Sequence, residues 1–417
     1  MNVSLFFVIF SVVVVYAFES IADLLDIKNV SMRIPEEFHG YFDIEKYVRS
    51  QKYLRVNTKF FLIYSTLFLI AEIIFIISGG FGYINTIAIS FGFGYIVTGI
   101  VFIGILFFIS EIFKIPFSVY RIFVIEEKFG FNKMSVKTFI TDLLKSWIIT
   151  SIIGGIIFSV VLYFFVNYKN AWLYAFIATT VFELFVIFIS PVVIMPLFNK
   201  YIPLEDGELK NSIEKYAKKE NFKINGIFKM DASKRSVKSN AFLTGFGKFR
   251  RIVLFDTLIH MHSVDELTSI LAHEMGHFRL GHIIKNVIFS FISIAVMFLI
   301  FSLFIHQKWI YAIFFMQTQP IYMGMVLCMF LYTPISFVFS VISNYFSRKY
   351  EHQADIYAVV THKEPEAVIS ALKKLSVNNL SNLYPHKFKV FLKYSHPPVL
   401  KRIGVIREYV SRELDAN

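Results

Sequence analysis

The stretch Leu267-Thr268-Ser269-Ile270-Leu271-Ala272-His273-Glu274-Met275-Gly276-His277-Phe278-Arg279-Leu280-Gly281-His282, followed almost at once by the apolar run 284–305, decides how the rest of the chain is read. At about 100° per residue on a helix, His273 and His277 lie within roughly 40° of each other on one face, and Glu274 projects beside them. Two imidazoles and a carboxylate then converge on one point. That is the geometry of zinc peptide hydrolysis: two neutral histidine ligands from one turn, and a carboxylate placed to take a proton from the water that zinc activates.

The run 284–305 sets the environment. Hydrophobic residues make up 56% of the chain, 50 of them Phe, and mean hydropathy is +0.60, too apolar for a soluble protein of this length. The chain therefore reads as an integral, multi-pass membrane protein whose partner is the lipid bilayer. Seven stretches, 2–18, 60–79, 86–109, 147–166, 172–197, 284–305 and 321–345, reach or approach the length of a helical span, which is about 20 residues. The first lacks a positively charged start, so it reads as a helix rather than a secretory signal. Cys328 is the only cysteine and lies in an apolar run, which excludes an intramolecular disulfide and a cysteine-based metal site.

Charge sets the expected orientation. If the spans alternate, loops 19–59 and 110–146 fall on the same side as residues 198–283 and the tail from 346. Those two loops carry 13 Lys/Arg, whereas the opposite side has only Lys169 and Lys308. The positive-inside rule then places the N-terminus outside or in the lumen, and the H-E-x-x-H region and C-terminus in the cytoplasm. The net charge of +12 is accounted for by these loops and does not point to nucleic acid. Glu72 and Glu183 fall inside spans, which implies either a hydrated interior or protonated carboxyls bonded to neighbouring helices. Loop 19–59 reads as a folded helical connector, 79–104 as a loop followed by ordinary helix packing, and 123–133 as a solvated turn.

Beyond the fifth span the character changes. Leu209, Ile213, Tyr216 and Ala217 have helical spacing, while 224–230 and 251–255 read as strands around a turn at 239–245. This small α+β insert leads into the histidine helix, and its sheet edge offers a place for an extended peptide to lie. The expected fold is mainly α: seven transmembrane helices with a small cytoplasmic α+β metalloprotease domain. Its parts are 1–197 (spans one to five), 198–283 (the insert and H-E-x-x-H helix), 284–345 (spans six and seven) and 346–417 (a tail that completes the site).

Catalytic zinc takes three protein ligands and keeps one position open. A third His ten residues after His273, with Gly at seven, would mark a metzincin, but Gly281 and His282 are out of register with that pattern. At the end of the seventh span, Asn344, Arg348, Glu351 and Asp355 form a stripe only about 60° wide. Such a stripe ordinarily faces water, but this one lies on the same side of the membrane as the histidine helix. Glu351 is the preferred third ligand, and Asp355, one turn on, is placed to accept the second N–H of a ligating histidine. His352 points about 100° away and is the weaker candidate.

The chain resembles the type I CAAX prenyl proteases. The likeness runs through Pro35-Glu36-Glu37-Phe38, Ser50-Gln51-x-Tyr53, Pro116-Phe117-Ser118, the stretch from Phe123 to Lys133, Pro196-Leu197-Phe198-Asn199-Lys200 and Ser233-Lys234-Arg235-Ser236. It continues with Ser239-Asn240-Ala241-Phe242, Arg250-Arg251-Ile252-Val253-Leu254-Phe255-Asp256-Thr257-Leu258, the His273 motif, Ser347-Arg348-x2-Glu351-x2-Ala354-Asp355 and Ser395-His396-Pro397-Pro398.

The resemblance implies that the seven helices enclose a water-filled chamber with one Zn2+ at its cytoplasmic end. It implies that His273, His277 and Glu351 hold the metal and that Glu274 is the catalytic base. Asp355 and Arg348 would support them, Asn240 would touch the substrate backbone, and His396, on its own a His before two prolines, would stabilise the oxyanion. The implied substrate is a peptide or protein, prenylated or membrane-bound. The implied membrane is that of the endoplasmic reticulum, or the inner membrane of a bacterium, with which the Phe/Ile/Lys-rich composition also accords. The end of the chain at Asn417 carries no dilysine retrieval signal. Two other readings compete: a quality-control protease of the heat-shock type, and a transporter or channel using Glu72 and Glu183.

Overall fold

The structure, a computed structural model, describes residues 3–245, 250–316 and 318–416. The N-terminal part comprises α1 (Val3–Lys28), α2 (Ile44–Ile77), α3 (Gly80–Ser90), α4 (Tyr95–Tyr120), α5 (Val136–Asn167) and α6 (Ala171–Ile189). A π-helical turn, Arg121–Glu126, extends α4. Local chemistry sets two of the starts. The Asp43 carboxylate accepts the Lys46 N–H at the head of α2, and the Ser135 hydroxyl accepts the Thr138 N–H at the head of α5.

Among the described residues, seven helices are long and apolar enough to cross a membrane: Leu5–Lys28, Ile44–Ile77, Tyr95–Glu126, Val136–Asn167, Ala171–Leu197, His282–Phe304 and Ile321–His362. These are the seven expected spans, several of them longer than the apolar run that marks them. Only 6–22% of the residues in their most apolar windows are buried within the protein. One apolar core closes one end of the bundle around Phe81, Phe102, Leu162, Phe301, Tyr311 and Tyr322. A second core lies in the polar domain at the other end, around Ile213, Leu254, Leu271, Met275 and Ile403.

The third span departs from expectation. Residues 86–90 belong to α3, which buries Phe81, Ile84 and Ala88 in the closed end, and Gly92 at φ +70° breaks the chain before α4 begins. Glycine there serves the left-handed turn, and the region 79–104 holds a helix where a loop was expected.

The insert comprises β1 (Tyr201–Pro203), α7 (Glu208–Lys219), β2 (Ile227–Met230), β3 (Ala241–Thr244) and β4 (Arg251–Phe255). The sheet runs β1-β2-β4-β3, with β2 and β4 parallel and the outer pairs antiparallel. Residues 239–245 were expected to form a turn; Ala241–Thr244 instead pair with Leu254–Arg251 as an edge strand. The polar Ser239-Asn240 and Gly245 on either side conceal a strand of four residues.

The stretch 123–133 is likewise not a solvated turn. Glu126 is buried, accepting from the Tyr53 hydroxyl (2.6 Å) and the Lys238 ammonium (2.9 Å), and Phe129 and Phe131 join the core. A charge beneath aromatic rings makes the segment a strut between α2, the end of α4 and the chain entering β3.

After β4 come α8 (Asp256–Ile259), α9 (Val264–Arg279), α10 (His282–Phe304), α11 (Lys308–Ile313) and α12 (Ile321–His362), then α13 (Pro365–Asn378), α14 (Lys387–Lys393) and α15 (Val399–Ala416). A reciprocal capping box starts α9: the Glu266 N–H donates to the Ser263 hydroxyl, and the Ser263 N–H to the Glu266 carboxylate. Gly281, at φ +68°, separates α9 from α10. The 42 residues of α12 extend about 60 Å at 1.5 Å per residue, twice the hydrocarbon core of a bilayer. Its second half therefore projects beyond the membrane and lies against α9.

Candidate active site

The site is built where α9 crosses the projecting half of α12. Gly276 makes the crossing close: a Cβ there would come within 3.1 Å of the Ala354 Cα and 3.2 Å of the Tyr357 Cβ. That contact brings Glu351 under the two histidines. The His273 and His277 Nε2 atoms stand 3.2 Å apart. The Glu351 carboxylate lies 3.5 Å from His273 Nε2 and 3.2 Å from His277 Nε2. Ligands about 2.0–2.1 Å from a tetrahedral centre are separated by about 3.3 Å, so the triangle has the dimensions of a metal site. Among the described residues these three form the one such His/Cys/Asp/Glu group. Glu351 is buried, and its Oε2 makes no hydrogen bond, although Arg402 Nη1 stands 3.3 Å away. A buried carboxylate that faces two imidazoles with hydrogen-bonding capacity to spare fits a cation.

Asp355 stands one turn beyond Glu351 with Oδ1 3.0 Å from His273 Nδ1. Arg402, from α15, grips it in a two-pronged pair: Nε donates to Oδ2 at 2.8 Å and Nη2 to Oδ1 at 2.6 Å. Arg402 Nη1 also lies 3.3 Å from Glu351. Burial opposes the guanidinium's charge, but Asp355 outweighs it and holds Arg402 firmly protonated. Burial likewise opposes charge on His273, yet hydrogen bonds to Asp355 and Glu351 lift its pKa to about 9. Burial pushes the Glu274 carboxyl above the usual carboxylate range.

A cavity of about 320 Å³ opens on this point, lined by Glu274, His396, Asn240 and Asn379 among others. His396 Nε2 is 3.2 Å from Glu351, with its Nδ1 2.9 Å from the Ser395 hydroxyl. Its side chain is 63% exposed, so it faces open space rather than a packed wall. Asn240 is exposed at the mouth of edge strand β3, its Oδ1 accepting the Ala241 N–H.

Two sequence candidates lie elsewhere. Arg348 does not line the cavity; it donates to the carbonyls of Val390 (2.9 Å) and Tyr394 (2.6 Å), bracing the segment that leads into His396. His352 faces a separate groove on the far side of α12, and His282 packs behind His277. Arg402 was missed, although a signal existed: Val399, Ile403, Ile406 and Tyr409 form the apolar stripe of α15, and Arg402 sits within it. Of the two carboxylates in spans, Glu183 accepts a hydrogen bond from Ser290 on α10.

With this geometry in hand, likeness to known proteins is decisive. Residues 24–200 match the family model described as CAAX prenyl protease N-terminal, five membrane helices, and residues 203–410 match peptidase family M48. The chain belongs to peptidase family M48. It is similar to CAAX prenyl protease 1 of Saccharomyces cerevisiae, 34% identical over 95% of this chain and 94% of that one. It is also 33% identical to the CAAX prenyl protease 1 homolog of Homo sapiens, over 70% of each chain. The crystal structure of S. mikatae Ste24p superposes with a TM-score of 0.91 at 33% identity, covering 96% of this chain and 98% of that one.

This M48 peptidase is thus a multi-pass membrane metallopeptidase. Its seven helices enclose a chamber, and it acts on peptide or protein substrates.

Proposed function

We propose that the chain is a zinc endopeptidase that cleaves prenylated CAAX-type peptides at the cytoplasmic face of its membrane. His273, His277 and Glu351 are the residues that hold zinc, and the observation that carries the reading is the 3.2–3.5 Å triangle formed by the two Nε2 atoms and the buried Glu351 carboxylate. Zinc bound there supplies Lewis acidity toward the scissile carbonyl and makes water acidic enough to ionise near neutral pH. Two histidines and a carboxylate are a donor set suited to zinc.

The chain's own groups do the rest. The edge of β3 receives the peptide as an added strand, with Asn240 contacting its backbone. Glu274 takes the proton of the attacking water and passes it to the leaving amine. His396 uses Nε2–H to offset negative charge on the carbonyl oxygen, with its other nitrogen accepting from Ser395. Asp355, clamped by Arg402, holds the His273 ring in the tautomer that offers Nε2.

The part played by each region follows. Residues 1–197 and 284–345 form the membrane walls, 198–283 bring the histidine helix and substrate strand, and 346–417 bring Glu351, His396 and Arg402. The 13 basic residues of loops 19–59 and 110–146 support a cytoplasmic site and an outer or lumenal N-terminus. The names of the relatives support the prenyl substrate.

The test is a comparison of farnesylated and unprenylated versions of one CAAX peptide with the purified protein in vesicles. Preferential cleavage of the farnesylated peptide after its cysteine supports the proposal. Equal cleavage of both, together with cleavage of a damaged membrane protein, would instead establish a quality-control protease.

A further inference from the structure

His282 is only 1% exposed, an unusual degree of burial for an imidazole that faces neither metal nor substrate. The left-handed turn at Gly281 swings it back against the end of α9, so that its Nδ1 lies 3.1 Å from His277 Nδ1. Its Nε2 lies 2.9 Å from Gln353 Oε1, and its ring stacks on Tyr350 at 4.3 Å between centroids, with 12° between planes. Tyr350 and Gln353 flank Glu351 on α12, so the helix that supplies the acidic ligand also fixes this ring.

The proton count in this chain of groups has one solution. A histidine that offers Nε2 to a metal carries its proton on Nδ1, which can only donate. His282 Nδ1 must then accept, which leaves the His282 proton on Nε2, and that proton meets Gln353 Oε1. Every nitrogen in the row is satisfied in this arrangement. Reversing the first bond would put a proton on the His277 nitrogen that faces Glu351.

We propose that His282 is a positioning residue: it locks the His277 ring and tautomer for metal binding, and is itself held by Gln353 and Tyr350. The proposal rests on the reading of His277 as a ligand. It also accounts for an asymmetry in the site. Behind His273 stands a carboxylate, Asp355, already neutralised by Arg402; behind His277 stands a neutral imidazole. A neutral acceptor would orient the ligand without adding negative charge next to Glu351.

Zinc affinity, measured by chelator competition on the purified full-length protein, tests this without recourse to catalysis. His282→Phe retains an aromatic ring to stack on Tyr350 but has no nitrogen, and its zinc dissociation constant is expected to rise about 10–100-fold, the usual range for loss of such a support. Gln353→Met, which leaves His282 in place but unfixed, should weaken zinc binding less, and combining it with His282→Phe should add nothing further. Binding within twofold of wild type in His282→Phe, or in Gln353→Met should the first variant not fold, overturns the proposal. Wild type and His277→Ala are the controls. If wild type binds no zinc, or His277→Ala binds it normally, the ligand assignment itself fails and this inference falls with it.

Discussion

Asp355 and Arg402 form a two-pronged ion pair, 2.6 and 2.8 Å, directly behind His273. It ties three separate parts of the chain, α9, α12 and α15, to a single imidazole. Replacing Arg402 with Lys keeps the charge but not the fork. Zinc affinity and cleavage are expected to fall about 10–100-fold in Arg402→Lys, as for other supports of metal-bound histidines. Arg402→Ala strands a buried carboxylate at a cost of about 3–5 kcal/mol, and its thermal midpoint should drop correspondingly. A normal midpoint and normal zinc content in Arg402→Ala would remove the pair from the account.

Gly276 sits where α9 and α12 touch, with the Ala354 backbone 3.1 Å from any added Cβ. Gly276→Val inserts a branched side chain into that crossing and moves Glu351 away from the histidines. Overpacking of this kind costs about 1–3 kcal/mol, but the larger effect is expected on zinc content, which should fall well below one per chain. A variant that stays fully loaded with metal would show that the crossing tolerates separation.

Glu266 offers a pH test away from the metal. Burial raises its pKa, but the Lys374 ammonium, the Ser370 hydroxyl and the Ser263 N–H outweigh burial, and the folded value lies below the ordinary one. A depressed carboxylate pKa contributes stability that is fully present above the unfolded value, about 4.3, and is lost as pH falls through the folded value. Glu266→Gln should therefore lower stability by about 1–2 kcal/mol at neutral pH, through loss of the ion pair with Lys374, since a Gln oxygen can still accept the Ser263 N–H. The gap in thermal midpoint between wild type and variant should narrow below about pH 4. A gap that is constant, or that widens in acid, would contradict the sign.

Lys238 links the membrane helices to edge strand β3 through Glu126 and Tyr53, with its ammonium 4.5 Å from the Phe131 ring centroid. Glu126→Gln loosens the chain just before Asn240 without touching the metal triangle. KM for a long peptide is expected to rise several-fold with zinc content unchanged and kcat less affected. An effect confined to kcat would place Glu126 in another role.

The parts legible in sequence were those with local or periodic signatures. The spans show as uninterrupted apolar runs, and His273, Glu274, His277 and Glu351 each belong to a single helical face. The parts that were not legible depend on the chain returning from a distance. Nothing near Glu126 announces that Lys238 will cover it, and β3 is too short to show alternation between its polar flanks. Arg402 reaches Asp355 only after α13 and α14 reverse the chain. His282 looked like a ligand out of register because spacing along a helix does not foresee the turn at Gly281.

The central claim is that Glu274 performs proton transfer beside a metal held by three other side chains. It is tested most directly by measuring zinc content and farnesyl-peptide cleavage on the same preparation of Glu274→Gln. The expected result is one zinc per chain, an unchanged thermal midpoint and a rate lower by about 10²–10⁴-fold. Cleavage at the wild-type rate in a zinc-loaded Glu274→Gln protein would contradict it.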